Sequence, residues 1–342
     1  MNDIDLKNPE YYINRELSLL EFNRRVLEQA KNPDIPLLER LRFLTISCTN
    51  LDEFFEVRVA GLKAKEAVHS VRRGPDNMLP NEVLKELAVR CHEFVDEQYQ
   101  ILNEQLLPAL AEQQINFIRR THWNASQAAW LKKFFREELL PVLSPMGLDP
   151  AHPFPKVVNK SLCFILSLSG KDAFGRNSGL AVLQAPRSVP RVIQLPSDET
   201  ESGPHDFVFL SSVIHAYADE LFHGMAVQGC YQFRVTRNSD LFVDEEEIQD
   251  LKRAVEGELT TRQFGEEVRI EIADNCPAEL VDFLKNQFKM SADDVYQVSG
   301  LVNLNRLQKV FDMIDRPDLL FPPFTPGLVK QLSSKEDFFG TI

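Results

Sequence analysis

Between residues 18 and about 107 the apolar side chains return three and four positions apart, the period of helices with one buried face. Beyond residue 115 that period yields to short β-branched and aromatic runs, separated by prolines and by further helical stretches. A chain patterned this way closes neither as one helical bundle nor as an all-β sandwich. Its 342 residues suffice for two units, each with a core. The expected fold class is α+β: an N-terminal helical bundle-like domain over residues 1–109, followed by a mixed α+β domain over residues 110–322.

The helical part predicts four elements. Ser18 and Glu21 form a capping box for the first, with Leu19, Phe22, Val26 and Ala30 on its inner face. Pro36 sits in the first turn of the second, which turns Leu37, Leu41 and Leu44 inward. Ser47-Cys48-Thr49-Asn50 then reads as a polar break, with Asn50 and Glu53 at capping-box spacing. The helix they start buries Leu51, Phe54, Phe55, Val59 and Leu62, and turns Arg58, Lys63 and Lys65 outward. A loop follows at Gly74-Pro75-Asp76-Asn77, and Asn81 caps a fourth helix carrying Leu84, Leu87, Cys91, Phe94, Val95 and Leu102 inward. As an N-cap, Asn50 would stand beside spare N–H donors and partial positive charge, where a phosphate or carboxylate can dock. A plain capping role explains the same spacing.

In the second region strands are expected at 115–118, 161–167, 180–184, 191–195, 231–236 and 268–272. Helices are expected from Asn124 or Ser126, and at 211–222, 245–262, 278–288 and 304–313. A proline-rich connector holds Pro141, Pro145, Pro150, Pro153 and Pro155. No GxGxxG and no Walker A sequence follows any strand, which favours α+β over a parallel nucleotide-binding sheet.

Net charge is −13, the wrong sign for general binding to nucleic acid. It is unevenly spread: residues 15–73 hold eleven basic and nine acidic groups, residues 240–294 six and sixteen. A polyanion would therefore be met by the first segment, the second being a solvated surface. Five separated cysteines without a CxxC indicate reduced thiols, a cytoplasmic setting and neither a zinc site nor a disulfide framework. The acidic N-terminus lacks the features of a signal peptide, and the apolar run at 162–168 is too short to be a transmembrane segment. Peripheral membrane association stays compatible with this composition.

YYINRELSLLEFNRRVLEQA (11–30), PLLERLRFL (36–44) and TNLDEFFEVRVAGLK (49–63) resemble the N-terminal domain of bacterial polyphosphate kinases. HPFPKVVNKSL (152–162), FRVTRNSDLFVDEEE (233–247), TTRQFGEEVRIEI (260–272) and GLVNLNRLQKVFDMIDRPDLLFPPFTP (300–326) resemble the middle, or head, domain of the same family. The resemblance implies reversible transfer of the terminal phosphoryl of ATP to inorganic polyphosphate through a phosphorylated histidine. It implies that Asn50 contacts the nucleotide, ATP or ADP, and that the head domain contributes to a homodimer. The family's catalytic histidines and the ligands for Mg lie in later domains, of which residues 323–342 would be a truncated start. No catalytic or metal-binding residue is therefore expected in this chain, and alone it is expected to be inactive. The alternative is a stand-alone, non-catalytic module for dimerisation or for binding nucleotide or polyphosphate.

The remaining candidates for chemistry carry less. His69 stands near Arg72 and Arg73 at a helix end, His215 and His223 are two helical turns apart, His152 lies in the connector, and His92 has no second ligand at metal spacing. The Glu245-Glu246-Glu247 run suits a helix N-terminus. Arg234 and Arg237, at a strand end near Asp240, suit phosphate binding in type, but a surface ion pair is the expectation.

Overall fold

The computed structural model describes residues 5–149, 151–171, 179–239 and 265–327. The expected helix at 245–262, with its glutamate run, and residues 328–342 of the expected third segment lie outside these.

The first helix, α1 (Arg15–Lys31), starts earlier than the Ser18–Glu21 spacing suggested. Asn14 is its N-cap, its Oδ1 accepting from the backbone N–H of Glu16 and Leu17 at 3.0 Å each. The inner face is also shifted. Leu20, Asn23, Leu27 and Ala30 are buried, whereas Leu19 and Phe22 are exposed. α2 (Leu37–Glu53) folds back on α1 and contributes Leu38, Leu41 and Leu44, all without solvent exposure. Burial of each such leucine contributes roughly 1.5–3 kcal/mol.

No helix starts at Asn50. Thr45, Ser47 and Thr49 donate their hydroxyls back to the carbonyls of Arg42, Leu44 and Thr45, so the polar stretch is satisfied inside α2. The helix continues through a π-helical stretch, Phe54–Val59, into α3 (Ala60–Ala67). α4 (Pro80–Gln100) starts with Pro80 at its first position rather than with an Asn81 cap. The Glu82 carboxylate accepts from the Leu79 N–H at 2.7 Å. A second π-helical stretch, Ile101–Leu106, leads into α5 (Leu107–Glu112).

Two sheets follow. The smaller joins β1 (Asn116–Phe117), β5 (Val192–Gln194) and β6 (Asp206–Phe209) in the order β1-β6-β5. The larger has β2 (Pro145–Gly147), β3 (Cys163–Gly170), β4 (Leu180–Gln184), β7 (Met225–Arg237), β8 (Glu267–Ala273) and β9 (Val295–Val298), in the order β2-β4-β3-β7-β8-β9. Every pairing in it is antiparallel except β8 with β9. Asn124, one of the two expected starts, caps α6 (Ala125–Phe134), its Oδ1 accepting from Gln127 N–H at 2.7 Å. α7 (Ser197–Thr200), α8 (Leu210–Tyr217), α9 (Ala278–Gln287) and a 3₁₀ stretch, Leu304–Asp312, complete the framework.

The larger sheet has two buried faces. Phe233, Val235, Ile270 and Ile272 point toward Leu284 and Phe288 around α9. The alternating residues Arg234, Thr236, Arg269 and Glu271 therefore point the other way, toward the N-terminal helices. The main apolar core runs without interruption from Leu20 and Leu44 in those helices to Leu183, Tyr296 and Leu304 in the sheet region. The helical and sheet regions share one interior.

Candidate functional site

The residue that ties α2 to the sheet is Asp52. Its carboxylate is 2% exposed and accepts from Arg234 Nη1 at 2.9 Å, Arg234 Nη2 at 2.7 Å and Arg269 Nη2 at 2.6 Å. Arg234 Nε also donates to Glu271 Oε2. Register explains the arrangement: Arg234 is paired with Glu271 across β7 and β8, and Thr236 with Arg269. Both arginines thus reach one carboxylate from adjacent strands. Arg269 also stacks its guanidinium over the Phe55 ring, 4.4 Å from the centroid. Burial by itself raises the Asp52 carboxyl, but the charges of Arg234 and Arg269 outweigh it and hold the group below its ordinary range. Burial lowers the Arg234 guanidinium, and Asp52 and Glu271 more than reverse this.

This corrects the expectation of a surface ion pair. Arg234 is 3% and Arg237 4% exposed. Arg237 donates to Glu267 Oε1 at 2.7 Å and to the Val157 and Gly265 carbonyls. Asp240 lies outside the described residues.

Asn50 precedes Asp52 by two positions, about 200° around a helix, so the two face opposite sides of α2. With Asp52 pinned to the sheet, Asn50 faces α1. It lines a cavity of about 300 Å³ with Leu19, Phe22, Asn23, Phe54, Val57 and Arg58. Asn50 Nδ2 donates to Asn23 Oδ1 at 3.2 Å, and Asn23 Nδ2 donates to the Ser47 carbonyl at 2.8 Å. The side chain of Asn50 is thereby oriented with its Oδ1 left to accept, no donor reaching it among the described residues. The π-helical stretch turns Val57 and Arg58 onto the wall of this cavity. Leu19 and Phe22, expected in the core, are instead its apolar lining. The site thus offers apolar walls, a free amide oxygen and a guanidinium.

Sequence reasoning singled out Asn50 but not Asn23, Phe22 or Arg58. Two asparagines on consecutive helical patterns, with apolar residues flanking the first, were the available signal. Of the other candidates, His69 and Lys63 line a second cavity, of about 810 Å³, with Lys85 and Lys289, and the remaining ones are not gathered. His69 is an exposed residue with φ of 50° at the end of α3, and His152 lies 3.5 Å from Asp149 at the surface. His215 is exposed on α8, and partial desolvation and the charge of Arg120 hold it below its ordinary range. The His92 ring lies within hydrogen-bond reach of the Ala88 and Val295 carbonyls and stacks on Tyr296. Lys63 pairs with Asp294 at 2.6 Å. Among the described residues no group of three or more His, Cys, Asp or Glu is placed to hold a metal ion, and no helix is long and apolar enough to cross a membrane.

Sequence models describing the polyphosphate kinase N-terminal domain and the polyphosphate kinase middle domain match residues 12–118 and 126–310. The chain belongs to the polyphosphate kinase family. It is 53% identical over 331 residues to the polyphosphate kinase of Pseudomonas aeruginosa, a match covering 97% of this chain and 48% of that protein. The Neisseria gonorrhoeae polyphosphate kinase is 52% identical over 96% of this chain and 48% of its own length. The fold superposes on the crystal structure of polyphosphate kinase from Porphyromonas gingivalis with a TM-score of 0.74 and 25% identity, over 96% of this chain and 45% of that one. The chain spans about half the length of the family members it matches. Both the helical region and the mixed sheet region belong to the family's fold.

Proposed function

We propose that this chain is the nucleotide-side and dimer-forming half of an enzyme that transfers the terminal phosphoryl of ATP reversibly to inorganic polyphosphate through a phosphohistidine. The single observation that carries the nucleotide part is the cavity at Asn50. Leu19, Phe22, Phe54 and Val57 offer apolar surface to a purine ring. The Asn50 Oδ1, oriented by Asn23, is an acceptor for an exocyclic amino group. Arg58 at the same wall carries no ion pair among the described residues and meets the phosphate charge. Anchoring of Asp52 keeps α2 from rotating, so the amide stays aimed.

The nucleophilic histidine and the Mg ligands are assigned to the part of the family fold outside this chain, so phosphoryl transfer requires both halves. Residues 1–109 form the nucleotide-side domain in this reading, residues 110–322 the head domain with the dimer contacts, and residues 323–342 the first part of a catalytic domain. The setting is the cytoplasm, where ATP and reduced thiols coexist.

Calorimetry of ATP binding tests the nucleotide assignment. Asn50→Ala keeps a good helix former in α2 and is expected to weaken ATP binding at least tenfold. Equal affinity in the two proteins would return Asn50 to a purely structural role.

A further inference from the structure

The cavity of about 810 Å³ beside His69 and Lys63 lies between α3, the first half of α4 and the 3₁₀ turn Ala292–Asp294. It shares no lining residue with the cavity at Asn50. Its floor is apolar, with Phe55, Val59, Leu87 and Tyr296 each at most 4% exposed, and its volume is that of a small-molecule site. The Tyr296 ring is fixed by His92, stacked with 4.0 Å between centroids, and by the edge of Phe55 at 5.7 Å. Its hydroxyl has no hydrogen-bond partner among the described residues and is not sealed from solvent, so it opens into the cavity. A hydroxyl left in that state is a donor for whatever occupies the site.

The rim carries amines of two kinds. Lys63 is committed, to Asp294 at 2.6 Å and to the Val268 carbonyl at 3.1 Å. Lys85 and Lys289 are exposed and carry no ion pair among the described residues. Lys289 also has a φ of 51°, at the left-handed position just past the end of α9. Glycine is the default there, because a Cβ crowds the following carbonyl. The helix dipole favours a cation anywhere in the last turn and does not require one at this strained position. An ammonium group is thus held on the cavity rim against the preference of its own backbone.

Glu66 and Asp293 stand on the same rim, also without ion pairs among the described residues, and balance Lys85 and Lys289. A polyvalent anion would meet a repelling carboxylate for each attracting amine. One acidic group on an apolar body avoids that conflict: the body covers the floor, and the single charge takes the free donors. We propose that this cavity binds a monocarboxylate with a hydrocarbon body, of the fatty-acid type, whose carboxylate is held by Lys85, Lys289 and the Tyr296 hydroxyl. The site goes beyond the nucleotide and polyphosphate reading and does not depend on it.

The test titrates the 342-residue chain with decanoate by calorimetry, alone and in the presence of tripolyphosphate. Decanoate should bind saturably at one site, and tripolyphosphate should not displace it. Tyr296→Phe keeps the ring and removes the hydroxyl; it should lower decanoate affinity at least fivefold. Lys289→Gly should lower it at least tenfold with Tm unchanged or raised, because glycine suits the left-handed position, so lost binding is separated from lost folding. Absence of saturable decanoate binding below roughly 1 mM, displacement by tripolyphosphate, or unchanged affinity in either variant would overturn the proposal.

Discussion

Asp52 and Arg234 stand 182 residues apart in the chain and share two hydrogen bonds, of 2.7 and 2.9 Å, in the interior between α2 and the larger sheet. Their contact fixes the rotation of α2 and, through it, which side of that helix carries Asn50. A buried pair of this kind contributes less net stability than its attraction suggests, because both charges lose water. Losing one partner is another matter.

Asp52→Asn should therefore destabilise the chain by about 3–5 kcal/mol, since Arg234 and Arg269 would keep two charges against the one carboxylate of Glu271. Urea unfolding of the two proteins measures this. A difference under about 1 kcal/mol would mean that Glu271 alone neutralises the cluster.

Acid should weaken the wild-type chain through the same group. Its carboxyl titrates lower in the folded state than in the unfolded state. The unfolded chain thus binds the proton first, and the stabilisation is present above the unfolded value of about 3.9. It is lost as pH falls from there through the folded value. Unfolding free energies measured between neutral and acid pH should converge for wild type and Asp52→Asn as pH falls. Parallel curves would exclude Asp52 as the titrating group.

The cysteines offer a check on the core. Cys48, Cys91, Cys163, Cys230 and Cys276 are all buried free thiols. Burial pushes Cys91, Cys163 and Cys230 up to about 12 and Cys276 to about 11. A thiol-disulfide reagent at neutral pH should react slowly with the native chain and with all five after denaturation, because the thiolate is the nucleophile. Rapid modification of the native protein would place a thiol at the surface.

Incubation of the chain with ATP labelled in its γ-phosphate should leave no acid-labile label. The histidines at 69, 152, 215 and 92 are scattered over the fold, and the proposed reading assigns the nucleophile to the part of the family fold outside this chain. A stable phosphohistidine on this chain would move the nucleophile into this half.

Local pattern was sufficient where an element is satisfied by its own residues. β4 falls on residues 180–184 and α9 starts at Ala278 as expected, because alternation and helical period are short-range properties. The start of α6 was legible to within two residues, Asn124 or Ser126, for the same reason. β6 and β9 were not seen beforehand; each is four residues long and is defined as a strand by its partners.

The site divides along the same line. Asn50 was found, but for a different local role: hydroxyl-to-carbonyl bonds carry α2 past the polar stretch where a helix start was expected. Arg234 was assigned to the surface because nothing near it in sequence reveals Asp52.

By itself, the sequence determined the family and the order of helical and sheet regions, and singled out Asn50 as a candidate, since motif and period are written in neighbouring residues. Only tertiary structure decided which way Asn50 points, that Leu19 and Phe22 line a cavity instead of the core, and that Arg234 is buried against Asp52. Those facts depend on strand register and helix rotation, which long-range packing sets.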